Sequence, residues 1–141
     1  MGAALAAHAV PSLLVNGHRV SHAFMYGLYR IGNKNFAQWV DEIYRVQSES
    51  RKGKMIRVVH HKDLVPHLPP SNAGYVHFSK EIFYNGNLTD GYTICDDDDG
   101  EDPKCSAQFK NVDYDVMNHM DYFDYHVMNK DSLPSCAVPK P

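Results

Sequence analysis

No apolar run in these 141 residues approaches the ~18 that a membrane-spanning helix requires. The longest near the start, Ala3 to Ala9, is broken by His8. A basic surplus is also missing: 14 Lys plus Arg stand against 17 Asp plus Glu, a net charge of −3 with histidine neutral. Little positive charge is therefore left to neutralise phosphates, and no nucleic-acid partner is expected. The first residues have no basic stretch ahead of their apolar run, so no secretory signal is expected there, and the start reads as mature protein or as a cut end. Cysteine is scarce: Cys95, Cys105 and Cys136 permit one disulfide and leave one thiol over, an unusual count for a secreted protein. No H-E-x-x-H or G-x-S-x-G pattern occurs, and neither Ser12 nor Ser21 stands in the context of a nucleophile elbow. The 43% of hydrophobic residues is nonetheless enough to bury a core, and the length is that of one ordinary domain.

The alanine-rich start, Met1 to Ala9, reads as a helix without an N-cap, ended by Pro11. Residues 19–29 read as a strand, followed by a Gly32-Asn33 turn. Phe36, Trp39, Val40, Ile43 and Tyr44 then recur at intervals of three and four, an amphipathic helix that Asn33 or Asn35 can cap. After the polar break 48–54, Met55 to Val59 is a short apolar run of the buried-strand kind. Strand, helix and strand make a βαβ unit, which favours an α/β fold with a mostly parallel sheet and flanking helices. Pro66, Pro69 and Pro70 then interrupt regular structure. Short strands are expected at 74–78, 81–84 and 91–94, with Asn85-Gly86 as a turn, before an acidic loop at 96–104 and a Pro-rich tail after Leu133.

Two constellations carry chemistry. Asp63 lies just past the end of the 55–59 strand, where open α/β sheets place ligands and catalytic groups, and an aspartate there can hold a histidine in one tautomer. It can also simply order a turn. His119 leads an aromatic segment and has the right ordinary pKa for a general base; its place after Asp63 follows the order of acid and base in α/β-hydrolases. The run Asp96 to Asp102 does not fit a calcium loop, since aligning Gly100 with the loop glycine puts Cys95 first and Ser106 last, and a solvated loop is expected. His18 and His22, at and just inside the start of the expected strand, make no zinc pattern, so no metal is implied. Asn87-Leu88-Thr89 is a glycosylation sequon.

Met1-Gly2-Ala3-Ala4-Leu5-Ala6, Tyr26-Gly27-Leu28-Tyr29-Arg30-Ile31-Gly32-Asn33 with Phe36-Ala37, Asp63-Leu64-Val65-Pro66-His67-Leu68-Pro69-Pro70, and His119-Met120-Asp121-Tyr122 form a series. It resembles the successive landmarks of the fungal class 3 lipases, a family that includes feruloyl esterases. The resemblance covers nearly the whole chain, from Met1 to about Cys136, and the 63–70 block is its most specific piece. It implies that residues 1–141 are the C-terminal part of an α/β-hydrolase domain, with Asp63 as triad acid, His119 as triad base and the nucleophilic serine just before Met1. The nitrogen of Met1 would be one oxyanion donor, and His67, Leu68, Tyr75 and Val76 would wall the substrate site. Tyr29 stands where the family usually has proline, which bears on the floor of the pocket.

The resemblance further implies a local Cys95–Cys105 disulfide, with Cys136 left without its partner, although three independent thiols remain the alternative. The implied substrate is a lipid ester met at a lipid–water interface outside the cell, without cofactor or metal. On this reading the 141 residues alone are expected to be inactive. The competing expectation is a non-catalytic, lipase-like scaffold or binding remnant.

Overall fold

Side chains repeat every 3.6 residues along a helix and alternate across a strand, and these two periods account for most of the architecture. The computed structural model describes residues 1–47, 54–78, 80–96, 100–110, 113–123 and 125–126. Cys136, the Pro-rich tail, most of the polar break and the centre of the acidic run lie outside the described residues.

Helix α1, Gly2–Val15, continues past Pro11 instead of ending there. An internal proline removes one backbone donor and crowds the carbonyl four residues back, at a cost of ~3 kcal/mol. Burial offsets that cost, because Ala4, Ala7, Val10, Pro11 and Leu14 form the single buried face of the helix. Its first turn has no side-chain cap, and the Met1 carbonyl accepts the amides of Ala4 and Leu5 at 3.1 and 3.2 Å. Strand β1, His22–Tyr26, is shorter than the sequence implies because Gly27 turns the backbone at φ +56°. At its other end the strand begins at His22, so His18 precedes it. Helix α2, Lys34–Gln47, starts at Asn33, whose Oδ1 accepts the Phe36 amide at 3.0 Å. Its stripe meets α1: Ala37, Val40 and Tyr44 share one core with Ala4, Ala7, Val10 and Leu14.

Strand β2, Lys54–His60, runs parallel to β1, with His22 opposite Lys54 and Tyr26 opposite Val58. β3, Glu81–Tyr84, pairs parallel on its other side, and β4, Thr93–Ile94, closes the sheet antiparallel in the order β1-β2-β3-β4. Residues 74–78 are not a strand. The Val76 amide goes to the Gly32 carbonyl at 3.0 Å in an isolated bridge, and the segment then delivers His77 and Phe78 to the interior. Asn85-Gly86 opens a longer connection containing the 3-10 turn Leu88–Asp90, rather than a two-residue hairpin, and the Asp90 carboxylate accepts the Asn87 amide at 3.1 Å.

Alternation assigns the two faces of the sheet. Ala23, Met25 and Met55 face the helices and join their core. Tyr26, His60 and Tyr84 face the other way and are met by Tyr122 and Phe123. Tyr122 belongs to a small separate ribbon, β5 (Asp121–Tyr122) with β6 (Tyr125–His126). This aromatic contact lies at the carboxyl ends of the parallel strands.

Candidate active site

β2 ends at His60, and a tight turn follows. The Asp63 amide returns to the His60 carbonyl at 2.9 Å, while His61 adopts φ +42°. The turn sets Asp63 beyond the strand with its carboxylate fully buried. Such a group needs donors on both oxygens, and it has them. Oδ1 accepts the Val65 amide at 2.8 Å; Oδ2 accepts the Tyr122 hydroxyl at 2.7 Å and His119 Nδ1 at 3.0 Å.

His119 arrives on a 3-10 turn, Val116–His119, capped by the Asp115 side chain, which accepts the Met117 amide at 2.8 Å. The Asp115 amide is in turn anchored on the Lys62 carbonyl at 2.9 Å, beside Asp63. A carboxylate only accepts, so Nδ1 of His119 carries the proton and Nε2 is left as the basic nitrogen. The side chain keeps 29% of its surface accessible, against none for Asp63. A buried acid behind a reachable imidazole is an arrangement able to accept a proton from a nucleophile.

Two further residues, Gly27 and Tyr122, shape the pair; both lie in the landmark segments named above, but no reading of the sequence assigned either of them a role. A Cβ on Gly27 would lie 2.7 Å from both Cε1 and Nδ1 of His119 and 3.1 Å from Asp63 Oδ2, so glycine leaves the room the imidazole fills. Tyr122 also receives the His60 amide on its oxygen at 3.4 Å. Burial first, then the charge of Asp63 and the hydrogen bond to it, push the Tyr122 hydroxyl far above the ordinary tyrosine range and keep it a donor.

The structure thus brings Asp63 and His119 together and distributes the other expected site residues. His67 is buried, stacked on Tyr114 at 4.3 Å, and its Nε2 has no partner among the described residues. Burial and then the Arg30 charge lower its pKa. Leu68 and Tyr75 are exposed, while Val76 packs partly buried against the α1–α2 core. Among the described residues no hydrogen bond ties these three to Asp63 or His119. Met1 is exposed at the start of α1.

Cys95 and Cys105 are joined in a disulfide. Together with Glu81 they bring three potential metal-ligating groups close to one another. The sulfurs are bonded to each other, and Glu81 holds Arg57 at 2.9 Å and the Ser106 amide at 3.0 Å. These ligand atoms are therefore already engaged. The described ends of the acidic loop are less solvated than expected. Asp102 accepts the amides of Asp96 and Lys104, each at 2.8 Å, and Glu101 turns inward to Arg30 at 2.7 Å.

A family model described as Lipase (class 3) matches residues 1–73. A secreted mono- and diacylglycerol lipase of Malassezia globosa is 38% identical over 96 residues, covering 66% of this chain and 28% of that protein. Lipase II from Rhizopus niveus superposes with a TM-score of 0.71 at 30% identity, over 89% of this chain and 44% of that one. A triacylglycerol lipase whose catalytic centre is formed by a serine protease triad gives a TM-score of 0.62 at 25% identity, over 85% and 44%. The chain spans less than half the length of each of these relatives. With an α/β-hydrolase sheet, a family match over its first half and lipase structures superposing on most of its length, the chain belongs to the class 3 lipase family.

Proposed function

We propose that residues 1–141 supply the acid and base of a lipid-ester hydrolase and form the C-terminal part of its α/β-hydrolase domain. The observation that carries this reading is the hydrogen bond from His119 Nδ1 to the buried Asp63 carboxylate, at 3.0 Å. In the reaction His119 Nε2 removes the proton of a nucleophilic serine, Asp63 stabilises the resulting imidazolium, and His119 returns the proton to the departing alcohol. The ester carbon passes from alcohol to serine and then to water. In this reading the serine precedes Met1, the Met1 nitrogen is one donor to the oxyanion, and His67, Leu68, Tyr75 and Val76 belong to the substrate wall. Acylglycerols at a lipid–water interface are the substrate class, in keeping with the Malassezia relative. An extracellular setting is supported by the disulfide and by the exposed Asn87 of the sequon.

The test is hydrolysis of p-nitrophenyl butyrate. The 141 residues alone are expected to show no turnover that depends on His119. Expressed with the coding sequence directly upstream, the protein is expected to hydrolyse the ester, with Asp63→Asn lowering kcat by roughly 10⁴-fold and His119→Ala abolishing His-dependent turnover. Hydrolysis by that longer protein that is indifferent to both substitutions would sink the reading, and a folded longer protein without any hydrolysis would favour a non-catalytic scaffold.

A further inference from the structure

The segment that leaves Asp63 is held by one arginine. Arg30 Nη1 donates to the carbonyls of His67 and Pro69 at 2.5 and 2.9 Å, and the Arg30 amide donates to the Leu68 carbonyl between them at 2.7 Å. The rest of the guanidinium makes a two-pronged pair with Glu101, Nε to Oε1 and Nη2 to Oε2, both at 2.7 Å. Arg30 is buried.

Glu101 lies in the loop closed by Cys95–Cys105, and that loop is fastened elsewhere. The Gly100 carbonyl accepts Arg57 Nη2 at 2.8 Å, and Gly100 sits so close to the His77 carbonyl that a Cβ would lie 2.5 Å from it. On the other side of the clamp, the 3-10 turn Val65–His67 links the held carbonyls to the acid. The Leu68 amide bonds the Val65 carbonyl at 3.0 Å, and the Val65 amide bonds Asp63 Oδ1 at 2.8 Å.

We propose that Arg30 and Glu101 are positioning residues for the Asp63–His119 pair, anchored by the disulfide-closed loop. The proposal rests on the reading of that pair as catalytic and adds what sets its geometry. Constraint passes from the disulfide to Glu101, from Glu101 to Arg30, from Arg30 to three successive carbonyls, and through one tight turn to the carboxylate. A guanidinium suits the task because its planar donors serve a carboxylate and carbonyls at once, whereas a lysine ammonium offers a point charge without that fork. Glu101 also balances the cation beside the buried His67 ring.

The test is NMR of the full chain, following the low-field Nδ1 proton of His119 and the amide exchange of Val65, His67 and Leu68. Asp63→Asn serves as the reference that removes the imidazole's acceptor. In Glu101→Gln, Arg30→Gln and the double variant Cys95→Ala/Cys105→Ala, the three amides are expected to exchange roughly tenfold faster or more. The His119 proton resonance is expected to be lost, as in Asp63→Asn, and Arg30→Lys does not restore it. Glu101 is the more accessible partner, so Glu101→Gln keeps the test decisive where Arg30→Gln fails to fold. A folded Glu101→Gln protein with an unchanged His119 resonance overturns the positioning role and leaves the catalytic pair standing. A resonance that survives Asp63→Asn overturns the pair itself.

Discussion

Asp63 is surrounded by three donors, one two residues further on and two from the 119–122 stretch, and each contributes differently. Tyr122→Phe removes a hydrogen bond to a buried charged group, which is worth about 1.5–3 kcal/mol. Urea unfolding is expected to show a loss of that size, and an unchanged midpoint would mean that another group serves Oδ2. Gly27→Ala is expected to do more local harm. The added methyl occupies the place of the His119 ring while the backbone remains at positive φ, which alone costs an L-residue about 1–2 kcal/mol. The His119 Nδ1 resonance should disappear in this variant even if the fold survives. Asp63 and His119 were legible in the sequence because their neighbours repeat a family pattern. Gly27 and Tyr122 stand in the same landmark segments, but their roles were not legible, because these arise from contacts with residues distant in the chain, as Tyr122 is 59 positions from Asp63.

At the level of elements, periodicity located α2 and β2 well, since their apolar residues repeat at the period of the structure they form. α1 runs beyond its expected end: local proline chemistry points one way and burial of Pro11 the other, and burial prevails. The segment between β2 and β3 was the least legible, because it packs polar side chains inward. His77 is buried with Nε2 donating to the Pro66 carbonyl at 2.7 Å, and its pKa is well below the ordinary value through burial and then the Arg57 charge. His67 is lowered in the same direction.

The unfolded chain binds protons near pH 6.5 that these folded imidazoles refuse. Their stability is therefore complete above that value and declines as pH falls, by up to about 1.4 kcal/mol per pH unit for each histidine. Asp102, lowered by its two amide donors, loses its contribution only on acidification below its ordinary 3.8. It does not mask the histidines between pH 7.5 and 5. Chemical denaturation across that range should show the decline, and His77→Gln should flatten it; a pH-independent midpoint would contradict the assignment.

For the molecule as a whole, β2 ties two cores together. Met55 belongs to the core under the helices, whereas Val59 joins Phe83 and the disulfide in a second one. Between them the register sets fully buried Arg57 beside Glu81. The sequence shows only an arginine interrupting an apolar strand, and its partner becomes visible once β3 is paired. Glu81→Ala leaves that cation unpaired and is expected to cost about 3–5 kcal/mol in denaturant unfolding. Removing the disulfide, whose cysteines are 10 residues apart, is expected to cost about 2–3 kcal/mol by the same measurement.

The hydrogen bond between Asp63 and His119 spans 56 residues, which gives the site a history as well as a geometry. At ~5–20 residues per second of synthesis, Asp63 leaves the ribosome ~3–11 s before His119. Arg30, both cysteines and Glu101 are all made within or before that interval. The frame that holds Asp63 can therefore assemble while His119 is still to come, and a chain with residue 110 just clear of the ribosome would carry a prepared cradle with nothing to place in it.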